Sequence, residues 1–233
     1  MHDPAVVRAE YEDETRLAAR KAAHASGEGP DAREVLFEAI AEARPARILE
    51  VGCGEGELAE RLQRELGGAR MLAVDQSERM VEITRARGVD VRVGNVERLD
   101  LPDRSFDCVV AAWMLFHVPD VHRALAEIVR VLEPGGRLVA VTNGADHLCE
   151  LFDLVGGRAW VSNFSTEQAD WILPQHFGRV ERRDAHGWLV FPDGEAAQRY
   201  IDSLVLQEGS RVPLVEGPIR ARRTPSIFVA EKA

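Results

Sequence analysis

A chain of 233 residues, 45% hydrophobic and 29% charged, is long enough to bury one full core, and its alternating strand and helix signals predict a single α/β domain on a parallel sheet. Its 29 basic and 39 acidic residues leave a net charge of −10, which disfavours a nucleic-acid backbone as partner. No apolar run approaches the roughly 20 residues of a membrane span, the start Met1-His-Asp-Pro4 does not open a signal peptide, and Cys53, Cys108 and Cys149 have neither metal-type spacing nor an even number, so a cytoplasmic location is expected.

In chain order, residues 5–24 predict a helix with Val6, Val7, Tyr11, Leu17 and Ala18 on its apolar side, and residues 31–43 a second with Asp31 as N-cap. Between them Ser26-Gly-Glu-Gly-Pro30 predicts a flexible break. The run Ile48-Leu-Glu-Val-Gly-Cys-Gly-Glu-Gly56 then reads as strand, tight turn and helix start, with glycines where backbone approaches a ligand closely or takes positive φ. Gly52, Gly54 and Gly56 are evenly spaced, unlike a dinucleotide fingerprint, and Glu50 before them suits a cation and repels a pyrophosphate, which disfavours a nicotinamide cofactor. A second strand, Met71-Leu-Ala-Val-Asp75, ends in a carboxylate. Gln76 follows, and Ser77 caps a helix bearing Met80, Val81 and Ile83. Residues 89–94 predict a third strand, 106–112 a fourth, 121–132 a helix, 133–136 a turn and 137–142 a fifth strand.

The stretch Glu50-Val-Gly-Cys-Gly-Glu-Gly56 resembles the first motif of the class I S-adenosylmethionine-dependent methyltransferases, in particular the small-molecule branch of the ubiquinone/menaquinone-biosynthesis type. Four motifs in the family's order span residues 46–143. The resemblance implies a Rossmann-like, seven-stranded, mostly parallel sheet with an antiparallel edge strand and an N-terminal helical lid. It divides the chain into a lid (1–44), a cofactor core (45–143) and a substrate-side insert with closing strands (144–233). It also implies S-adenosylmethionine as cofactor: Glu50, Gly52, Gly54 and Gly56 at the turn, Asp75 on the ribose hydroxyls with Gln76 and Met80 beside it, and Ala112 and Trp113 after the fourth strand. Where the family usually carries an Asp on the adenine edge this chain has Asn95, so Val96 N–H and Glu97 gain weight there. Tyr11 spaced before Arg20 resembles a family pattern in which the ring approaches the sulfonium, a favourable cation–aromatic contact, and the guanidinium meets the methionine carboxylate. With no carboxylate at the end of the fourth strand, no metal is expected.

Methyl transfer from a sulfonium is an in-line displacement, so the protein must position, and for some acceptors deprotonate, the nucleophile. Candidates for that task are His117, Tyr11, His24, Asp146 and His147, with Trp113 and Phe116 as walls of the methyl site or as core. Leu148, Leu151, Phe152, Trp160, Phe164 and Trp171 point to an organic acceptor with apolar surface, and Ser165 to Gln168 fits a capping box. Strand (179–191), helix (194–206) and strand (225–231) close the chain; Arg220, Arg222 and Arg223 read as a solvated loop or an oligomer contact, and a homodimer stays open. Two function classes follow: methyl transfer to an O, N or C nucleophile of a small molecule, or a non-catalytic cofactor-binding or interaction protein of the same fold. An RNA acceptor is less favoured, because the chain is acidic and lacks the Asn/Asp-Pro-Pro-aromatic signature after the fourth strand.

Overall fold

The computed structural model describes residues 20, 23, 27–156 and 162–233. Along the chain, α1 (Ala32–Glu42) leads to β1 (Arg47–Val51), α2 (Glu57–Glu65), β2 (Arg70–Asp75), α3 (Glu78–Ala86) and β3 (Val91–Val93). β4 (Phe106–Ala112), α4 (Val121–Val131), β5 (Leu132–Asn143), α5 (Cys149–Leu154) and α6 (Thr166–Ile172) follow. The end of the chain supplies β6 (Arg179–Asp184), β7 (Gly187–Phe191), α7 (Gly194–Asp202), β8 (Ile219–Arg223) and β9 (Pro225–Glu231). Seven strands pair in the order β3-β2-β1-β4-β5-β9-β6, parallel from β3 through β5, with β9 antiparallel to both its neighbours. The mostly parallel seven-stranded sheet expected from the sequence is therefore present, with its antiparallel strand one place inside the edge. The strand order reverses between β1 and β4, and in open α/β sheets ligands bind beyond the carboxyl ends of the strands at such a point.

Both faces of the sheet are covered, which is why its strands are near-continuous apolar runs. Leu49, Val109, Leu138 and Ala140 face α4 and α6, whereas Ile48, Cys108, Val110 and Val139 face α1 and α2. On α4, Leu125 and Ile128 are fully buried, each contributing about 2 kcal/mol. A third cluster joins α5 and α7 to the separate pair β7-β8 through Leu151, Phe152, Leu189, Ile201 and Ala221. The expected caps form: Asp31 accepts from Arg33 N–H at 2.8 Å, Ser77 from Met80 N–H, and Ser165 and Gln168 close a capping box.

Several elements differ from the sequence reading. Residues 179–191, expected as one strand, divide between two sheets. Asp184 pairs with Ser226 and Gly187 with Arg223, so both partners of this antiparallel ribbon change sheet together. Pro225 has no N–H to continue the ladder, and its carbonyl accepts from Ala185 N–H at 3.0 Å in the bend. The turn expected at 133–136 is drawn into β5, with Gly135 at φ 76° donating to the Lys232 carbonyl at 3.0 Å. The helix after Gly194 ends at Asp202, and a 3-10 turn, Val205–Gln207, follows it. The arginine cluster lies not in a loop but in β8, with Arg220 on Glu28 at 2.6 Å and Arg222 on Glu150 at 2.7 Å and Asp146 at 3.0 Å. The flexible break is also tied down where it is described, because Glu28 and Trp188 exchange backbone hydrogen bonds of 2.8 and 2.9 Å. The helix expected over 5–24, Tyr11 and His24 included, lies outside the described residues except at Arg20 and Ala23, both helical.

No helix joins β3 to β4, and α4 holds that connection instead. Arg130 donates to the carbonyls of Leu99 and Leu101, both at 2.8 Å, and to the Asp103 carboxylate at 2.7 Å, while Glu127 accepts from Leu99 N–H at 2.7 Å. Arg130→Met keeps the stem packing and removes these charge-assisted bonds from a partly exposed side chain, which costs about 2 kcal/mol. Urea unfolding checks it: the midpoint falls with an unchanged slope, and an unmoved midpoint rejects the buttress.

Candidate functional site

The turn after β1 is built from three glycines with positive φ, 68° at Gly52, 54° at Gly54 and 75° at Gly56, a region side chains rarely enter. Their surroundings separate their roles. A Cβ on Gly52 would stand 2.8 Å from Met114 Cβ, and one on Gly56 would stand 2.6 Å from the Thr84 side chain, so these two permit close packing. A Cβ on Gly54 would meet nothing within 4 Å, so Gly54 is the one that faces open space. The turn is pinned to β2 through Gly52 N–H on the Val74 carbonyl at 2.7 Å and to α3 through the Thr84 hydroxyl on the Gly54 carbonyl at 2.8 Å.

Two carboxylates stand beside it, on the face of the sheet covered by α2. Glu50 is 2% exposed and its Oε2 has no hydrogen-bond partner in the structure. Burial, and then the charge of Asp75, push its pKa up to about 8 against a hydrogen bond from the Ala59 backbone. Asp75, 9% exposed, accepts from Gly54 N–H and from Ser77 N–H, each at 2.9 Å. Its pKa is also raised, by burial, although bonds from the Ser77, Gly54 and Gln76 backbone oppose the rise. Asp75 thus stitches the glycine turn to the end of β2 and keeps further lone pairs for a ligand. Cys53, within the turn, has its thiol pushed up to about 12 by burial and by Glu50 and Asp75, which suits a small packing residue and not a nucleophile.

Beyond β3, Asn95 is exposed and its side-chain oxygen accepts from Glu97 N–H at 2.8 Å, while Val96 is buried in the core. Glu97 accepts from Asp120 N–H at 2.9 Å, joining this segment to the start of α4. Asn95 and Glu97 border a cleft of about 760 Å³ together with Arg92, Arg98 and Arg123; Glu50, Gly54 and Asp75 lie outside its lining. On α3's side Gln76 is exposed and Met80 buried. The structure therefore brings Glu50, Gly54 and Asp75 together directly, and sets Asn95 and Glu97 on the neighbouring opening.

After β4, Ala112 leads into Trp113, which takes φ 51° and turns its indole N–H to the Asn143 side-chain oxygen at 3.3 Å. Strain of this kind in a bulky residue persists only where its surroundings enforce it. The half-buried His117 closes the 3-10 turn Leu115–His117 with its ring 4.4 Å from that of Phe116. Two of the other expected proton acceptors are engaged: Asp146 pairs with Arg222, and His147 Nδ1 accepts from Thr224 N–H at 3.1 Å. The neutral His147 ring therefore carries its proton on Nε2. Arg20 is helical and half-buried. Sequence reasoning missed Asn143, Met114 and Thr84. Asn143 had a signal, its place at the carboxyl end of β5; the other two meet glycines by packing that no spacing announces.

Residues 49–140 match the model of the "Methyltransferase domain" family. A ubiquinone/menaquinone biosynthesis C-methyltransferase of Methylobacterium nodulans is 39% identical over 106 residues, 42% of this chain and 42% of that one. A demethylmenaquinone methyltransferase of Thermus thermophilus is 40% identical over 106 residues, 43% of this chain and 48% of that one. The chain thus spans under half the length of both curated relatives. A solved structure from Thermotoga maritima, titled a SAM-dependent methyltransferase and possible histamine N-methyltransferase, covers 97% of this chain and 100% of its own with a TM-score of 0.63; at 23% identity the likeness concerns the fold. The glycine turn and the paired carboxylates thus lie inside the segment that is similar to the methyltransferase domain, and the seven-stranded sheet has the fold of the Thermotoga structure.

Proposed function

We propose that this chain binds S-adenosylmethionine at the β1 turn and transfers its methyl group to an O, N or C nucleophile of a small organic molecule. The observation that carries the reading is the combination of open space at Gly54 with the buried, unpartnered Oε2 of Glu50. A buried polar atom without a partner costs free energy unless a ligand satisfies it, and a carboxylate at that spot fits a cationic group. When bound, the cofactor supplies an activated methyl group on a positively charged sulfur. The chain's own part is to bind and orient. Glu50 and Asp75 hold cationic and hydroxyl groups, Asn95 and Glu97 border the opening next to them, and Trp113, fixed by Asn143, walls the side from which an acceptor approaches. Tyr11 and Arg20 are proposed to complete the cofactor contacts from the N-terminal segment. Where the acceptor must lose a proton, His117 is proposed to take it, because Asp146 and His147 already serve Arg222 and Thr224.

Turnover is tested by release of S-adenosylhomocysteine in the presence of a metabolite panel. Tight binding without turnover on any acceptor would favour the non-catalytic alternative. No helix among the described residues is long and apolar enough to cross a membrane, so small polar and amphipathic metabolites are the first panel.

Glu50 gives a prediction with opposite signs for binding and stability. Its folded pKa of about 8 lies above the unfolded carboxylate value, so its contribution to stability is complete below the unfolded value and is lost as pH rises towards 8. Glu50→Gln therefore raises the melting temperature at pH 8 by about 3 °C or more and weakens S-adenosylhomocysteine binding by at least about tenfold. In the native chain a bound cation draws a proton off Glu50, so affinity rises with pH up to about 8 and calorimetry detects proton release. Unchanged affinity in the variant would reject the role of Glu50. Gly54→Val strains a φ of 54° and fills the open space, and is expected to abolish binding while the chain stays folded.

His117→Ala is expected to lower single-turnover rate about 10²-fold and flatten the acid limb of the pH–rate profile, with S-adenosylhomocysteine affinity nearly intact. A lower melting temperature with a rate within a few fold of the native chain would reassign His117 to packing.

A further inference from the structure

The three arginines of β8 and its end are not equivalent. Arg220 and Arg222 are exposed and each has a carboxylate: Glu28 for the first, Asp146 and Glu150 for the second. Arg223 is 7% exposed and has none among the described residues. Among the described residues it donates one hydrogen bond, to the Pro30 carbonyl at 2.8 Å, and its buried Nε has no partner there. The next side chain repeats the pattern, since Thr224 Oγ1 is buried and unpartnered as well. A buried guanidinium loses solvation that a single neutral carbonyl returns only in part, and its planar fork is shaped for a bidentate oxyanion. Gly27 makes room for it: a Cβ there would stand 3.0 Å from Arg223 Nη1.

These two residues sit beside the carboxyl end of β5, where Asn143 pairs with Pro225. Thr224 accepts from Gly144 N–H at 2.9 Å and donates its own N–H to His147 at 3.1 Å. Gly144 directly follows Asn143, which holds the Trp113 indole, and Met114 beside Trp113 packs on Gly52 of the cofactor turn. A continuous row of contacts thus runs from the proposed cofactor turn across the methyl side to Thr224 and Arg223. On the same face of β8 as Arg223, Ile219 and Ala221 join the apolar cluster of Leu148, Leu151 and Phe152.

We infer that Arg223, with the Thr224 hydroxyl beside it, is an anion subsite for the acceptor, and that the acceptor is an amphipathic molecule carrying a carboxylate. The inference rests on the methyl-transfer reading, and separate readouts distinguish them. The full chain, unloaded and loaded with S-adenosylhomocysteine, is titrated calorimetrically with benzoate, phenylacetate and octanoate and with the primary amide of each. At least one acid is expected to bind about tenfold or more tightly than its amide. Arg223→Gln removes that preference and leaves S-adenosylhomocysteine affinity within about threefold, whereas Arg64→Gln, a surface arginine far along α2, keeps it. If Arg223→Gln does not fold, Arg223→Met, apolar and of similar length, takes its place. The subsite is overturned if no acid is preferred to its amide, or if the preference survives in the variant while only its melting temperature falls, which would make Arg223 a structural latch on Pro30. It is equally overturned if the variant loses S-adenosylhomocysteine and not the acids, which would give the guanidinium to the cofactor's own carboxylate. Failure of the native chain to bind S-adenosylhomocysteine would sink the methyl-transfer reading, while the acid preference of the unloaded chain would still decide the subsite.

Discussion

Glu50 and Asp75 occupy the same face at the carboxyl ends of adjacent strands, both withdrawn from water, and the charge on Asp75 makes ionisation of Glu50 harder. Described cations do not relieve this pair; backbone does, and unequally. Asp75 takes N–H groups from Gly54 and Ser77, and so fixes the height of the glycine turn and the start of α3 in one stroke. Glu50 is left with an oxygen that nothing among the described residues satisfies. The asymmetry separates two roles: one carboxylate is spent on holding the turn, and the other is the one proposed to meet a cation. Such strain at a site, balanced by stability elsewhere, is the usual pattern for binding loops.

The layout of the candidate site follows from strand order as much as from the turn. Because β4 lies next to β1, the loops leaving both strands point into the same space, and Met114 on the second loop seats against Gly52 on the first. Any side chain at position 52 would push that loop away. Trp113 takes its left-handed backbone in this loop, held on one side by its own N–H on the Val141 carbonyl at 3.0 Å and on the other by its indole on Asn143. The placement of Trp113 is therefore a consequence of three strand ends, β1, β4 and β5, lying side by side.

Much of this was legible in the sequence for a physical reason: the half around the glycine turn is made of local signals. Glycines at 52, 54 and 56, a carboxylate closing β2 at Asp75 and caps at Asp31, Ser77 and Ser165 each act within a few residues, so spacing reveals them. What stayed hidden depends on contacts far apart in the chain. Residues 179–191 show an unbroken strand signal, and the change of sheet is decided by Pro225, some forty residues on. Arg220, Arg222 and Arg223 look alike as letters, and only Glu28, Glu150 and Pro30 make one of them buried and the others paired. Likewise Asn143 became a site residue through the indole of Trp113, thirty positions before it.

The bend in the ribbon also governs where the N-terminal segment can go. Residues 27–30 are held by the small sheet: Glu28 pairs with Trp188 of β7, its carboxylate with Arg220, and the Pro30 carbonyl with Arg223. From Pro30 the chain passes directly into α1, whose Leu36 and Ile40 are fixed against the main sheet. The segment therefore bridges the small sheet and the large one, and a shift of β7-β8 relative to β5 would move the entry to α1 with it. An anion seated on Arg223 would draw on the same guanidinium that holds Pro30, so its binding and the position of this bridge would be mechanically linked. That linkage is a direct physical route by which an anion on Arg223 would be felt at residues 27–30 and the entry to α1, with no need for a signal through the glycine turn.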